Sequence, residues 1–391
     1  MPANPQQLHN AIMQIGSGLA ASRETIQTTQ VNALRTLQEM AAAPDRVATG
    51  IRQAAAADST LRCAVPLDED FSAGFPCPPG VGAPALLAVD GSQFITDRHE
   101  EVMFAVINIG SVIIEPGSGK APEVLTDTRV LFGDELWASD GDLLSEGDVA
   151  LLRDSAERRS LLANAPAVSG VAVLSDGPLE LWGAKDVSDP RAFENALRRY
   201  LEDLHELQRR SCTVAGYVDK PAADLVVRML ELALPGVATS GQQRLRPLRR
   251  ASDRWLFARI LKPHERSAIF ALQSSSALRY PEDLAIHFFY LNVGSESQPA
   301  LARIEIPRWV ARDQHRIGVL HQTLLDQCAL LGARPYPYIL HRAHETARIS
   351  LQEREQIKLR LLLEMRNHGY EPEAVSGKDS AKSVSNSGGR Y

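Results

Sequence analysis

Ala85-Leu86-Leu87-Ala88-Val89-Asp90-Gly91 is the stretch whose reading decides the fold, and Gly170-Val171-Ala172-Val173-Leu174-Ser175-Asp176-Gly177 echoes it further along the chain. In both, an apolar run without polar alternation leads into Asp-Gly. Such runs describe strands covered on both faces, as at the centre of an α/β sheet. A carboxylate closing a strand of this kind stands at the rim of the core, where ligand-binding groups are usually presented. Asp-Gly is also a common tight-turn signal, so each dipeptide taken singly reads equally as a plain turn.

Working outward, residues 6–43 form a Gln-, Ala- and Thr-rich pattern that predicts a long amphipathic helix within an N-terminal helical extension, 1–65. Residues 66–84, rich in Pro and Gly, mark a linker into a main domain over 84–366. Strands are expected at 85–89, 102–109, 111–115 and 123–131. They are followed by a helix at 146–163, a strand at 171–175, a helix at 190–209, a strand at 212–218 and a helix at 221–233. Consecutive strands followed by alternating β and α predict an α/β fold, a mixed sheet flanked by helices, with a meander on one side and parallel crossovers on the other. Further strands are expected at 254–261, 267–272, 285–292 and 300–306, then helices at 314–332 and 337–366. A cluster of Arg244, Arg246, Arg249, Arg250 and Arg254 precedes them, and a Ser-, Lys- and Gly-rich tail from 372 to 391 is expected to be disordered.

The composition narrows the function classes. With 391 residues, 44% hydrophobic and 23% charged, the chain can bury a sizeable core. A formal net charge of -6 excludes a uniformly basic nucleic-acid coat, though not a local basic groove. The four cysteines, 63, 77, 212 and 328, include no C-x-x-C pair, which argues against a zinc knuckle or redox motif. Neither a signal-peptide pattern at Met1–Leu19 nor an 18-residue apolar span is evident, so a cytoplasmic protein without a membrane segment is expected.

Candidate chemistry gathers around the two Asp-Gly dipeptides. The first strand and the strand after the 146–163 helix tend to be neighbours, which would bring Asp90 and Asp176 to one sheet end. Glu157 lies on the inward edge of the intervening helix with Ala150 and Leu161. Carboxylates from strand, helix and strand form a set that hard divalent cations take, and two such ions can drive phosphodiester hydrolysis. The competing reading is two turn acids and one surface ion pair with Arg153 or Arg158. Near the C-terminus, His344 shares a stripe with Leu340, Ala347 and Leu351 that is expected to face the core, while His341 sits with Glu345 and Arg348 on the polar side. A histidine so placed is either a satisfied core residue or a metal ligand and proton-transfer group. Gly117-Ser118-Gly119-Lys120 departs from a phosphate loop at Ile114 and Ala121 and reads as a hairpin tip. In Gly216-Tyr217-Val218-Asp219-Lys220-Pro221, Lys220 suits a phosphate and Tyr217 a nucleotide, with a satisfied loop the alternative.

Taken together, Leu87–Ser92, the helix bearing Glu157, Val173–Leu179, Gly216–Lys220 and the Tyr-Pro…Ala-His segment around His344 resemble the NurA nuclease family. The likeness covers roughly residues 84 to 355. It implies an RNase H-like, Piwi-like core and a manganese-dependent DNA nuclease, with magnesium as the alternative ion. The implied activity is 5′→3′ exonuclease and single-strand endonuclease. It further implies a homodimer acting on DNA ends with a hexameric HerA-type translocase in double-strand break repair. On this resemblance Asp90, Glu157, Asp176 and His344 ligate metal, with Tyr217 and Lys220 nearby, and with Glu115 and Asp97 as substitutes for Glu157. Two readings compete: an actin- or sugar-kinase-like ATPase, which also places Asp-Gly after a first core strand, and a non-catalytic DNA-binding assembly subunit.

Overall fold

The fold comes from a computed structural model that describes residues 4–80, 82–96, 100–138, 141–183, 185–237, 245–332 and 334–369, with the side chains of 17–22 set aside. In chain order the elements begin with helices α1 (Pro5–Ala41) and α2 (Pro44–Ala57), then strands β1 (Cys63–Pro66), β2 (Leu86–Ile95), β3 (Phe104–Ile114) and β4 (Glu123–Phe132). Helix α3 (Glu146–Ala163), strand β5 (Ala172–Asp176), helix α4 (Pro190–Arg209), strand β6 (Thr213–Asp219) and helices α5 (Leu225–Leu232) and α6 (Asp253–Ile260) follow. Strands β7 (Phe270–Gln273), β8 (Ile286–Asn292) and β9 (Leu301–Pro307) precede helices α7 (Arg308–Ala311), α8 (Gln314–Ala329), α9 (Tyr338–Ala347) and α10 (Leu351–Asn367). Two compact units share these elements: Met1–Gly82, Gly177–Glu180 and Ala215–Tyr336 form one, and Ala83–Asp176, Leu181–Val214 and Pro337–Tyr391 the other.

The second unit carries the two Asp-Gly dipeptides up to Asp176. Its strands run β5-β2-β3-β4, with β2 parallel to β5 (Leu86 opposite Ala172 through Val89 opposite Ser175) and antiparallel to β3, which pairs antiparallel with β4. The first nine residues of β3 are buried, so this strand is covered on both faces, whereas β4 is almost wholly exposed and forms the edge. Alternation along a strand sends neighbouring side chains to opposite faces. Gly91 faces α3, where an added Cβ would press on Glu157 and Arg153. Gly110, opposite Asp90, faces α9, where a Cβ would lie 2.6 Å from the Ala347 nitrogen and 2.7 Å from the Ala343 oxygen. Beyond α9, helix α10 lays Leu362 and partly buried Ile357, Leu361 and Met365 on Val102, Phe104 and Val106.

In the first unit the strands run β1-β7-β8-β9-β6, antiparallel at every pairing. Every residue of β8 and β9 is buried. Asp253, fully buried at the start of α6, accepts the amide hydrogens of Val226 and Val227 and the Tyr290 hydroxyl proton, tying α6 to α5 and β8. None of the described helices is long and apolar enough to cross a membrane.

The mixed sheet flanked by helices, preceded by N-terminal helices, follows the expected class, but several local readings change. Asp90-Gly91 is neither a turn nor a strand end: β2 continues to Ile95, because both faces remain covered past Val89. The strands expected at 102–109 and 111–115 are one strand, and Gly110 admits a helix rather than breaking the ladder. Residues 254–261, expected as a strand, form helix α6, which Ser252 caps by accepting from the Trp255 amide. The single helix expected over 337–366 is two. Ser350 and Glu353 make a reciprocal capping box that starts α10 afresh after an extended Arg348. The tail from 372, Arg244 and Asp97 lie outside the described residues.

Gly110→Ala should force α9 away from the sheet and destabilise the protein by about 1–3 kcal/mol, as overpacking does. Chemical denaturation with tryptophan fluorescence measures this, and the same substitution at Gly80, where no atom lies within 4 Å and φ is not positive, is the matched control for glycine removal at an open site.

Candidate active site

Three elements of the second unit bring the predicted residues toward β2. Asp90 and Asp176 each follow the Val89–Ser175 pair by one residue in neighbouring parallel strands, so the register sends them to the same face. That is the α9 face, since Gly110 opposite Asp90 abuts α9. Helix α9 is fixed there at its end. The Ser92 hydroxyl and the Asn108 amide both donate to the Ala347 carbonyl, an otherwise orphaned helix-terminal acceptor. Ile339, Leu340, Ala343 and Ala347 bury the inner side of α9. So anchored, α9 carries His344 to Asp90, with Nδ1 2.7 Å from Oδ2.

His344 does not face the core as its stripe suggested. Its side chain is 59% exposed while Asp90 is 14% exposed, so the imidazole lies at the rim, over a mostly buried carboxylate. The stripe fails at its last member because Leu351 belongs to α10 and points to solvent. His341 stays on the polar side, 3.6 Å from Glu345.

Glu157 reaches β2 from the other face. Helix α3 starts at a capping box between Ser145 and Asp148, and Asp148 also accepts from Ser188, which fixes the helix start. Three turns on, Glu157 lies over the backbone of Gly91, where the missing side chain leaves room. Only 15% of its side chain is exposed, and Arg153 stands 3.1 Å away, also binding Asp154 at 2.6 Å. Burial pushes the Glu157 carboxyl up to about 8. Arg153 pulls it back, Asp154 pushes it up, Arg158 lowers it and the charge on Asp90 raises it further. Glu157 therefore lies near enough to Asp90, across Gly91, to feel its charge.

Among the described residues, no group of three or more His, Cys, Asp or Glu side chains stands together at metal-holding distances. Asp90 is paired with His344, and Glu157 with Arg153. In kind the donors fit a hard divalent cation: carboxylate oxygens on adjacent strands, plus an imidazole. Glu115, the substitute acid, is spent on Lys120 at 2.8 Å in the β3–β4 hairpin, whose tip holds Gly117 and Gly119 at positive φ.

Tyr217 and Lys220 belong to the first unit. Tyr217 is 1% exposed, edge-on to Tyr336 and with its hydroxyl 4.0 Å from the Cys328 sulfur, so its ring is a core element and not a surface for stacking. Lys220, at φ 44°, is exposed and 3.6 Å from Asp219. The ion pair with Arg153 that the competing reading named is present at i, i+4 spacing, though Glu157 is mostly buried rather than on the surface. Sequence reasoning missed Ser92 and Asn108 altogether, because their partner is a helix end some 240 to 255 residues away.

The NurA domain family model matches residues 84–349. Among solved structures, the NurA nuclease from Sulfolobus solfataricus superposes with a TM-score of 0.53 at 12% identity, covering 93% of this chain and 98% of that one. The catalytic domain of human endonuclease V gives 0.30 at 13% identity over 81% and 98%. Ciona intestinalis endonuclease V with an inosine-containing DNA gives 0.29 at 11% over 71% and 87%. No curated protein sequence matches the chain.

The raised Glu157 pKa has a stability consequence of definite sign. The folded protein keeps this proton up to about 8, whereas an unfolded glutamate releases it near 4.5. The contribution is therefore complete below pH 4.5 and is lost as pH rises through 8. Glu157→Gln should flatten this part of the stability–pH curve of metal-free protein and gain up to a few kcal/mol at pH 9 relative to the parent. Urea unfolding at pH 5, 7 and 9 in EDTA checks it; parallel curves for parent and variant would refute the assignment.

Proposed function

The chain belongs to the NurA domain family, and from that premise we propose that it is a metal-dependent nuclease hydrolysing phosphodiester bonds in DNA. The observation that carries the proposal is the His344–Asp90 link on the face to which Asp176 also points, with Glu157 buried against the same strand. A kinase-like ATPase is disfavoured because Asp90-Gly91 runs within β2, and the Gly117–Lys120 segment is a hairpin tip whose lysine is paired with Glu115.

Asp90, Glu157, Asp176 and His344 would hold manganese, or magnesium in its place. Bound there, the ion would supply a more acidic water and stabilise negative charge on phosphate oxygens. Glu157 must release its proton before it can serve as a ligand, so ion uptake is linked to proton release and strengthens as pH rises toward 8. Arg153 holds the Glu157 carboxyl over Gly91 and offsets its charge once the proton has left. A neutral His344 facing a carboxylate carries its proton on Nδ1, since a carboxylate only accepts. That leaves one lone pair, on Nε2, which would either ligate the ion or, where the carboxylates alone hold it, take a proton from the attacking water and give it to the departing oxygen.

The finer reading is 5′→3′ exonuclease and single-strand endonuclease action in a cytoplasmic homodimer that works with a HerA-type hexameric ATPase at DNA ends. Its support is the family alone. Co-purification of the tagged chain with a hexameric ATPase tests the partner.

Incubation of 5′-labelled single-stranded DNA with Mn²⁺ and no ATP should give cleavage that Asp90→Ala reduces at least about a hundredfold; intact DNA with the parent protein would refute the nuclease reading. His344→Ala should cost roughly 10²–10⁴-fold, while His341→Ala, whose ring pairs only with Glu345, keeps most activity. Equal losses would place the working histidine wrongly.

A further inference from the structure

The first unit contains a groove of about 1280 Å³, larger than the roughly 300–1,000 Å³ usual for a small-molecule site. Lys220, Arg254, Arg259 and Arg334 line it, against two acids, Asp219 and Glu296. This local excess of positive charge contrasts with a chain of net charge -6. Two aromatic side chains, Trp255 and Tyr336, join the lining. The Arg259 guanidinium stacks 3.9 Å from the Trp255 ring centroid, and Tyr336 is braced edge-on by the buried Tyr217. Arg254 and Arg334 are exposed and make no ion pair among the described residues.

The groove is built rather than incidental. Arg254, Trp255, Ala258 and Arg259 recur at the spacing of one helix face on α6. That face is aimed by Asp253, whose buried carboxylate accepts two α5 amide hydrogens and the Tyr290 hydroxyl proton. A rigid helix face presenting cations with interleaved rings is the chemistry that takes a flexible polyanion bearing planar bases. Cations follow the phosphates and rings stack with bases of any sequence.

We infer that this groove binds single-stranded DNA independently of sequence. The choice of DNA rests on the nuclease reading; the polyanion-and-base chemistry does not. The strand lies along α6, with Arg254, Arg259 and Arg334 on its phosphates and Trp255 against a base.

The test uses the full chain in EDTA, so that no cleavage intervenes, and follows fluorescence anisotropy of a 5′-fluorescein oligo-dT of about 20 nucleotides over a salt series. Arg254→Glu with Arg334→Glu should weaken binding roughly tenfold or more and lower the salt slope by about 1.4, the value for two lost phosphate contacts. Arg198→Glu with Arg199→Glu, the same charge change on the exposed side of α4, should leave both unchanged. Trp255→Ala should weaken binding without changing the slope. Equal weakening by the two charge-reversal pairs, an unchanged slope in the groove pair, or a blunt duplex binding as tightly as oligo-dT would overturn the inference. Matching circular dichroism of all variants confirms that they fold. Normal oligo-dT binding with no Mn²⁺-dependent cleavage refutes the nuclease reading alone; cleavage with groove-independent binding refutes this inference alone.

Discussion

The site depends on one steric fact: the absence of side chains at Gly91 and Gly110 lets a helix touch the backbone on each face of the β2–β3 pair. Strand alternation then does the sorting. Asp90 and Ser92 go to the α9 side and Gly91 to the α3 side, so a single strand serves two helices with different chemistry. A Cβ at Gly110 would press on the backbone of α9, and one at Gly91 would displace the Glu157 and Arg153 side chains, so the distances that define the site would change at either.

Charge is arranged around the same strand. Each carboxylate has a cationic or proton-bearing neighbour of its own, Arg153 for Glu157 and His344 for Asp90. A buried acid without such a neighbour would be costly. Burial still outweighs Arg153 at Glu157, which keeps its proton through neutral pH. The arrangement is thus a protonated acid beside a pair of same-facing acids.

Much of this was legible in the sequence because the relevant signals are short-range. The apolar run 171–175, the 146–163 and 190–209 helices, and the motifs around Asp90 and His344 are each written in a short stretch of chain. What misled was tertiary. Gly110 looked like a strand break because a helix 230 residues later decides its role, and Arg254–Leu261 read as a strand because Asp253's partners on α5 and β8 are invisible locally. The break before α10 was different: Ser350 and Glu353 spell a capping box in plain spacing, overlooked because the flanking helical periods ran together. The orientation of His344 could not be had from a helical wheel, since a wheel gives the face and the rim is set by where the helix is pinned.

The pinning of α9 has a bearing on biosynthesis. His344 and Asp90 are 254 positions apart, and the carbonyl that holds α9 is clasped by side chains of β2 and β3 made far earlier. Long-range closure of this kind is slow and must await the late segment. As the chain leaves the ribosome, the acid-bearing strand and α3 can settle first, while the histidine arrives only some 250 residues after Asp90. A nascent chain that has not yet made α9 therefore lacks the clasp on β2 and β3, and the pairing of Asp90 waits for that helix.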